Sequence, residues 1–228
     1  MTDSDSTLFD SKNTVYVNTA PNDTLTVVDV QNDFMPGGAL AVPYGHEVVP
    51  IINRVSPGFD RIIITQDWHP PGHVSFASTH NDLPFLKRNV GYGEQTLWPD
   101  HCVRGTQGAE LHPGLIRPTM ELAELIVRKG RDAKRDSYSA FIEADRHTHT
   151  GLHAYLTTHK VKRVFIAGLA LDYCVAATAI DAANLGYETY VVLDACRAVS
   201  EAAMALADDR MRYAGVRYTR STMIRTYR

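Results

Sequence analysis

Apolar residues in this chain cluster in short solid runs separated by polar, glycine-rich or helically spaced segments. Leu25–Val30, Arg61–Thr65, Leu122–Arg128, Val164–Ala167 and Thr189–Leu193 are rich in Val, Ile and Leu, and the shorter Val216–Thr219 has β-branched and aromatic residues. Runs of that length read as strands, and their near-continuous apolar character suits a parallel sheet buried on both faces. Between them lie stretches with helical spacing or composition: Glu47–Val55, Gly151–His159, the Ala-rich segment after Asp172, and Ala198–Arg212. Pro50 fits the first turn of the first helix. In the last, Glu201 comes early and Arg210 and Arg212 late, in agreement with the helix dipole. Strands alternating with helices predict an α/β fold: a three-layer α/β/α domain on a mostly parallel, six-stranded, doubly wound sheet with right-handed crossovers. Residues 1–22, rich in Ser, Thr, Asp and Asn, read as a loose N-terminal extension before one domain over 23–228; within them only Val15–Val17 has the character to pair at an edge. From Gln66 to Thr106 no period stands out. An irregular stretch that long inside a compact domain is expected to carry function.

Composition narrows the class. A chain of 228 residues, 44% hydrophobic and 21% charged, is sized and balanced for one large globular domain. A formal net charge of −3 leaves no basic footprint for nucleic acid or an anionic membrane, and homo-oligomerisation is left open. Three cysteines argue against a disulfide framework and for a reducing compartment. No apolar run approaches a membrane span, residues 1–20 lack the pattern of a signal peptide, and Thr226-Tyr227-Arg228 is not a peroxisomal address. The cytoplasm is the expected location.

In parallel sheets, ligands bind outside the carboxyl ends of the strands. At those ends stand Asp29, then Asp67 with His69, then Lys129, then the turn before Cys174. A thiol where a strand gives way to a helix meets unpaired N–H groups and the positive end of the helix dipole, which favour a nucleophilic thiolate. A buried, inert cysteine is the alternative reading. Asp67, His69 and His73 offer one carboxylate and two imidazoles on a Pro- and Gly-constrained loop. Joined by His101 from the Trp98–Cys102 turn, they would suit Zn²⁺ or Fe²⁺. His80, His112, His147, His149, His153 and His159 read as ordinary surface or core residues.

The segments DVQNDF, QDWHPPGH, WPDHCVRGT, the Lys129-Gly130 pair, GLALDYCVAATAIDAANLGY and VVLDA occur in that order. Together they resemble the nicotinamidase/pyrazinamidase branch of the isochorismatase-like cysteine hydrolases, from Leu25 to about Thr219. Tyr173 and the long loop Phe76–Thr96 look more like eukaryotic members. The resemblance implies hydrolysis of nicotinamide to nicotinate and ammonia through a cysteine thioester, feeding NAD salvage, with pyrazinamide as a further substrate. It makes Asp29, Lys129 and Cys174 the catalytic set, with Asp33 outside it. Asp67, His69, His73 and His101 become ligands of one divalent metal, Zn²⁺ first, with Fe²⁺ and Mn²⁺ as alternatives. Phe34 and Trp98 would wall the pyridine ring, with Leu169 and Tyr173 as further substrate contacts. A cis peptide at Leu169–Ala170 would help aim the Ala170 N–H, with that of Cys174, into an oxyanion hole. A related amidase for another carboxamide or carbamoyl substrate is the alternative within this class. Outside it stand a metal-binding relative without catalysis and a redox protein pairing Cys174 with Cys102. Cys102 and Cys196 otherwise read as structural.

Overall fold

The computed structural model describes residues 13–115 and 119–227. Its centre is a six-stranded, all-parallel sheet made of β2 (Thr24–Val28), β3 (Arg61–Asp67), β6 (Ala123–Lys129), β7 (Arg163–Leu169), β8 (Glu188–Arg197) and β9 (Arg217–Thr219), in the order β6-β3-β2-β7-β8-β9. Two layers of apolar side chains cover it. On one face α3 (Leu152–Thr158), α4 (Ala176–Asn184) and α5 (Glu201–Tyr213) enclose Val28, Ile63, Ile166 and Val191. On the other, α1 (Val48–Val55) packs over Leu25, Val27, Ile62, Ile64 and Phe165, and the short α2 (Thr119–Leu122) leads into β6. Alternate residues of one strand thus enter different cores, which is why these strands read as solid apolar runs.

Strand order reverses between β2 and β7, so the crevice above that pair is the topological switch point where such folds bind ligands. The two backbones meet closely there. Gly168 lies opposite Val28 in the ladder with φ of +122°, and a Cβ on it would stand 2.1 Å from the Val28 carbonyl oxygen. Only glycine fits.

The structure departs from the expected elements in five places. The first strand stops at Val28 rather than Val30, because the chain turns out of the sheet at Asp29, whose φ is +48°. The fifth strand of the sheet runs on to Arg197, where Cys196 and Arg197 rejoin the ladder beside Gly168 and Leu169 after a register shift. The irregular stretch from 66 to 106 contains an antiparallel hairpin, β4 (Lys87–Val90) and β5 (Gly93–Thr96), mostly polar in both strands and therefore without an apolar alternation to reveal it. Finally, the stretch taken as a loose extension is tied down over its described part. β1 (Val17–Asn18) pairs in parallel with β10 (Ile224–Arg225), Thr14 bridges to Tyr218, and residues 1–12 lie outside the described residues. At the start of α5 the Ser200 side chain accepts the Ala203 N–H at 3.2 Å, which places the helix start just after Ser200 rather than at Ala198.

No helix of the described residues is long and apolar enough to cross a membrane.

Candidate active site

Four strand ends converge on the crevice. Asp67 closes β3 and Lys129 closes β6, and the ladder pairs them directly. Asp29 follows β2, and Cys174 follows β7 within a single π-turn, Leu171–Val175, that runs into α4. Thr65 aims the first carboxylate: its hydroxyl donates to Asp29 Oδ1 at 2.6 Å and accepts the Asp29 N–H at 3.1 Å. Lys129 is wholly buried, yet its ammonium lies 2.8 Å from Asp29 Oδ2, donates to Asp67 Oδ1 and to the Ser137 carbonyl at 2.9 Å, and reaches Cys174 Sγ at 3.4 Å. An unpaired buried charge would cost several kcal/mol. Two carboxylates offset that here.

Two acids sharing one lysine leave an excess negative charge, and the acids respond differently. Burial drives the Asp29 carboxyl up to about 6, with Lys129 opposing and the Asp67 charge adding to the rise. Burial also works against Asp67, but Lys129, His69 and His101 hold its carboxyl far below the usual range. Lys129 stays charged, because Asp29 and Asp67 outweigh its burial. For Cys174 the expectation of an easily ionised thiol is corrected: burial pushes it well above its ordinary value although Lys129 pulls the other way. The resting pair near neutral pH is therefore a Cys174 thiol beside an Asp29 carboxylate, which is a donor facing a base.

Beside this set lies a cluster of possible metal donors. Asp67, His69 and His101 each place a donor atom within 4.8 Å of the others. His69 Nδ1 is 2.9 Å from the Gly130 carbonyl and His101 Nδ1 is 2.8 Å from the Pro99 carbonyl. Hydrogen bonds to carbonyls fix the protons on Nδ1 and turn the Nε2 lone pairs toward Asp67 Oδ2, 3.6 Å from His69 and 3.9 Å from His101. The buried His69 Nε2 has no hydrogen-bond partner. A divalent cation fits this donor set, since it would satisfy that orphaned atom and bridge gaps too long for hydrogen bonds. Burial, with the neighbouring His69, pushes His101 down to about 4, so its imidazole is neutral and able to donate a lone pair. His73 stands beside the cluster, its ring stacked on His69 at 4.2 Å, and forms another close group with His69 and Asp136. Both its nitrogens are already engaged, Nε2 with the Arg135 carbonyl at 2.8 Å and Nδ1 with Ser75 Oγ at 2.7 Å. In this arrangement it buttresses His69 rather than facing Asp67.

The other residues named from sequence gather around the same crevice. The Leu169–Ala170 peptide is cis. Trp98 and Tyr173 meet edge to face at 4.9 Å, and Phe34 leans on His101 at 5.7 Å. Leu169 is fully buried at the end of β7.

Several supporting residues escaped the sequence reading. Gln31 pairs with the Asp67 backbone at both its N–H and its carbonyl, 2.8 Å each, and so pins a donor without touching it. Asp33 accepts the Cys102 N–H at 2.7 Å, which anchors the turn carrying His101. Phe76 packs its ring 5.6 Å from those of His69, His73 and His101. Tyr138 accepts the Trp98 indole N–H at 3.0 Å. Only Gln31 and Asp33 carried any signal, as polar members of DVQNDF.

Residues 23–223 match the isochorismatase domain family. A nicotinamidase of Acinetobacter baylyi is 55% identical over 181 residues, covering 79% of this chain and 83% of that protein. The structure of PnC1 from L. infantum in complex with nicotinate superposes with a TM-score of 0.80 at 36% identity, covering 92% of this chain and 98% of that one. A zinc complex of the pyrazinamidase of Pyrococcus horikoshii superposes at 0.71 with 34% identity, covering 88% and 99%. The chain belongs to the isochorismatase domain family.

Proposed function

We propose that this chain hydrolyses nicotinamide to nicotinate and ammonia in the cytoplasm, returning the pyridine ring to NAD salvage, and that it accepts pyrazinamide as well. One observation carries the reading: a single buried ammonium, Lys129 Nζ, lies 2.8 Å from Asp29, 3.4 Å from Cys174 Sγ and against Asp67, so acid, nucleophile and donor cluster meet at one point. The 55% identity to a nicotinamidase favours nicotinamide over other carboxamides.

The chemistry follows from the charge states. Asp29 takes the Cys174 proton as the sulfur attacks the carboxamide carbon, and the Lys129 charge holds the sulfur as it becomes anionic. The N–H groups of Ala170 and Cys174 receive the developing oxyanion. Asp29 returns the proton to the departing nitrogen, ammonia leaves, and an acyl thioester remains on Cys174. Water then gives its proton to Asp29 and attacks the thioester carbon. The C–S bond breaks, and the Asp29 proton returns to sulfur. Asp67, His69 and His101 would hold the metal, proposed as zinc, with His73 supporting His69; bound there it would fix a ring nitrogen and so orient the amide. Phe34, Trp98 and Tyr173 would wall the ring, with Leu169 backing the end of β7.

Ammonia release from nicotinamide, pyrazinamide and benzamide, with metal content measured on the same protein, tests the reading. The first two should react and benzamide, lacking the ring nitrogen, should lag far behind. No ammonia from nicotinamide by zinc-loaded protein would refute it.

A further inference from the structure

A buried hydrogen-bonded chain links the β4–β5 hairpin to two sides of the site, and Gln95 is its hub. Gln95 lies in β5 and is almost wholly buried. Its amide nitrogen donates to Asp136 Oδ2 and to the Thr96 carbonyl, both at 2.7 Å, and stands 3.2 Å from the Tyr138 hydroxyl. Its amide oxygen accepts the Tyr92 hydroxyl at 2.8 Å. Two N–H bonds serve three acceptors, so the Asp136 and Thr96 contacts are the firm ones and the Tyr138 contact is shared.

Each partner leads inward. The Tyr138 hydroxyl also accepts the Trp98 indole N–H at 3.0 Å, and the Tyr138 ring lies 5.7 Å from that of Tyr173. Asp136 Oδ1 accepts the Ser137 N–H at 2.8 Å, and the carbonyl of Ser137 accepts the Lys129 ammonium. Trp98 itself is buried, with Phe85 edge-on at 5.9 Å. Neither Gln95 nor Tyr92 touches Cys174, Asp29 or the imidazole cluster by any hydrogen bond in the described residues.

We infer that Gln95 is a positioning residue, which sets the Trp98–Tyr138 aromatic wall against Asp136 and thereby fixes where a planar ring can lie. The inference rests on the nicotinamide reading for its substrate. The hairpin bearing Gln95 is mostly polar, and Gln95 is the one buried residue of its two strands, so the hub is its buried side-chain link to the wall. A buried network of this kind acts as a unit, and losing the hub leaves the remaining donors and acceptors mismatched. A ring wall that drifts costs ground-state and transition-state binding alike, which raises KM and leaves kcat nearly unchanged.

The test uses metal-loaded, full-length Gln95→Met, which keeps the length of the side chain and removes its hydrogen bonds. Tyr92→Phe, which removes one hydroxyl that donates to Gln95 and accepts the Asp136 N–H at 3.2 Å, serves as a milder variant if Gln95→Met fails to fold. The expected result is a KM for nicotinamide raised roughly tenfold with kcat within about twofold. The Gln95→Met/Tyr138→Phe double variant should be little worse than the poorer single one, since both cut one network. An independent readout needs no turnover: the chain has two tryptophans, so ¹⁵N spectra show two indole N–H signals. That of Trp98, assigned with a Trp98→Phe variant, should shift in Gln95→Met and Tyr92→Phe. A Trp98 signal that shifts in Gln95→Met, together with a wild type that releases no ammonia, would remove the substrate reading and leave the positioning role standing. An unmoved indole signal with an unchanged KM in a folded variant, or fully additive losses in the double variant, would overturn the inference.

Discussion

The two sides of the crevice are built by different means. Asp29, Asp67, Lys129 and Cys174 come from the ends of neighbouring strands, so their spacing follows from a parallel ladder in which strands lie about 4.8 Å apart. Trp98, His101 and Tyr138 stand on loops, and each is held by a separate tie. The Trp98 N–H donates to the Ser75 carbonyl at 2.7 Å, Asp33 anchors the turn after His101, and Tyr138 is fixed by the indole. Groups that must meet within hydrogen-bond reach are set by the rigid sheet. The groups proposed to wall the ring or hold the metal sit largely on polar loops, which can vary without moving the strand ends.

The comparison breaks first at the sulfur. Cys174→Ala should reduce turnover by roughly 10⁶-fold, because the covalent step has no substitute, while zinc content stays as in the wild type. Asp29→Asn keeps the shape but cannot take the thiol proton, and a loss of roughly 10³-fold is expected in stopped-assay ammonia release. The loop side should fail differently. His69→Ala should empty the metal site by elemental analysis, whereas His73→Ala, which removes a support rather than a donor facing Asp67, should weaken zinc affinity by about tenfold. Equal metal loss in the two variants would place His73 among the ligands after all.

The acid limb of the rate profile sharpens the same contrast. Asp29 must be ionised to accept a proton, and its carboxyl is raised to about 6, so activity is lost as pH falls through that value and restored above it. At pH 5 the rate should be about a tenth of its plateau. A limb near 4 would mean that burial does not govern this acid. The smallest effect lies away from the crevice. Ser200→Ala removes the cap of α5 and should cost about 1 kcal/mol in denaturant unfolding with kcat unchanged.

Legibility in the sequence tracks this division. Ile62–Ile64 and Val164–Ala167 announce buried strands, and once the strands are placed their polar end residues point to the site. Strand boundaries were harder, because leaving the sheet depends on a backbone turn at Asp29 and rejoining it depends on pairing between Cys196 and Gly168; neither is encoded in hydrophobicity. The β4–β5 hairpin was invisible for a related reason: LysArgAsnVal and GlyGluGlnThr show no apolar alternation, and Gln95 is buried by partners far along the chain. The thiol was misjudged because the helix N-terminus is local information while burial is not. At His73 the spacing suggests a ligand but does not reveal the Arg135 carbonyl and Ser75 hydroxyl that meet its nitrogens.

In the proposed mechanism Cys174 carries the acyl group while Asp29 and Lys129 manage its proton and charge. Rapid quenching of zinc-loaded protein with nicotinamide, followed by mass spectrometry of its peptides, tests that claim most directly. A nicotinoyl adduct on the Cys174 peptide is expected to form with ammonia release, to decay with nicotinate formation, and to be absent in Cys174→Ala. Ammonia release that proceeds at the wild-type rate in Cys174→Ala, without any adduct, would contradict it.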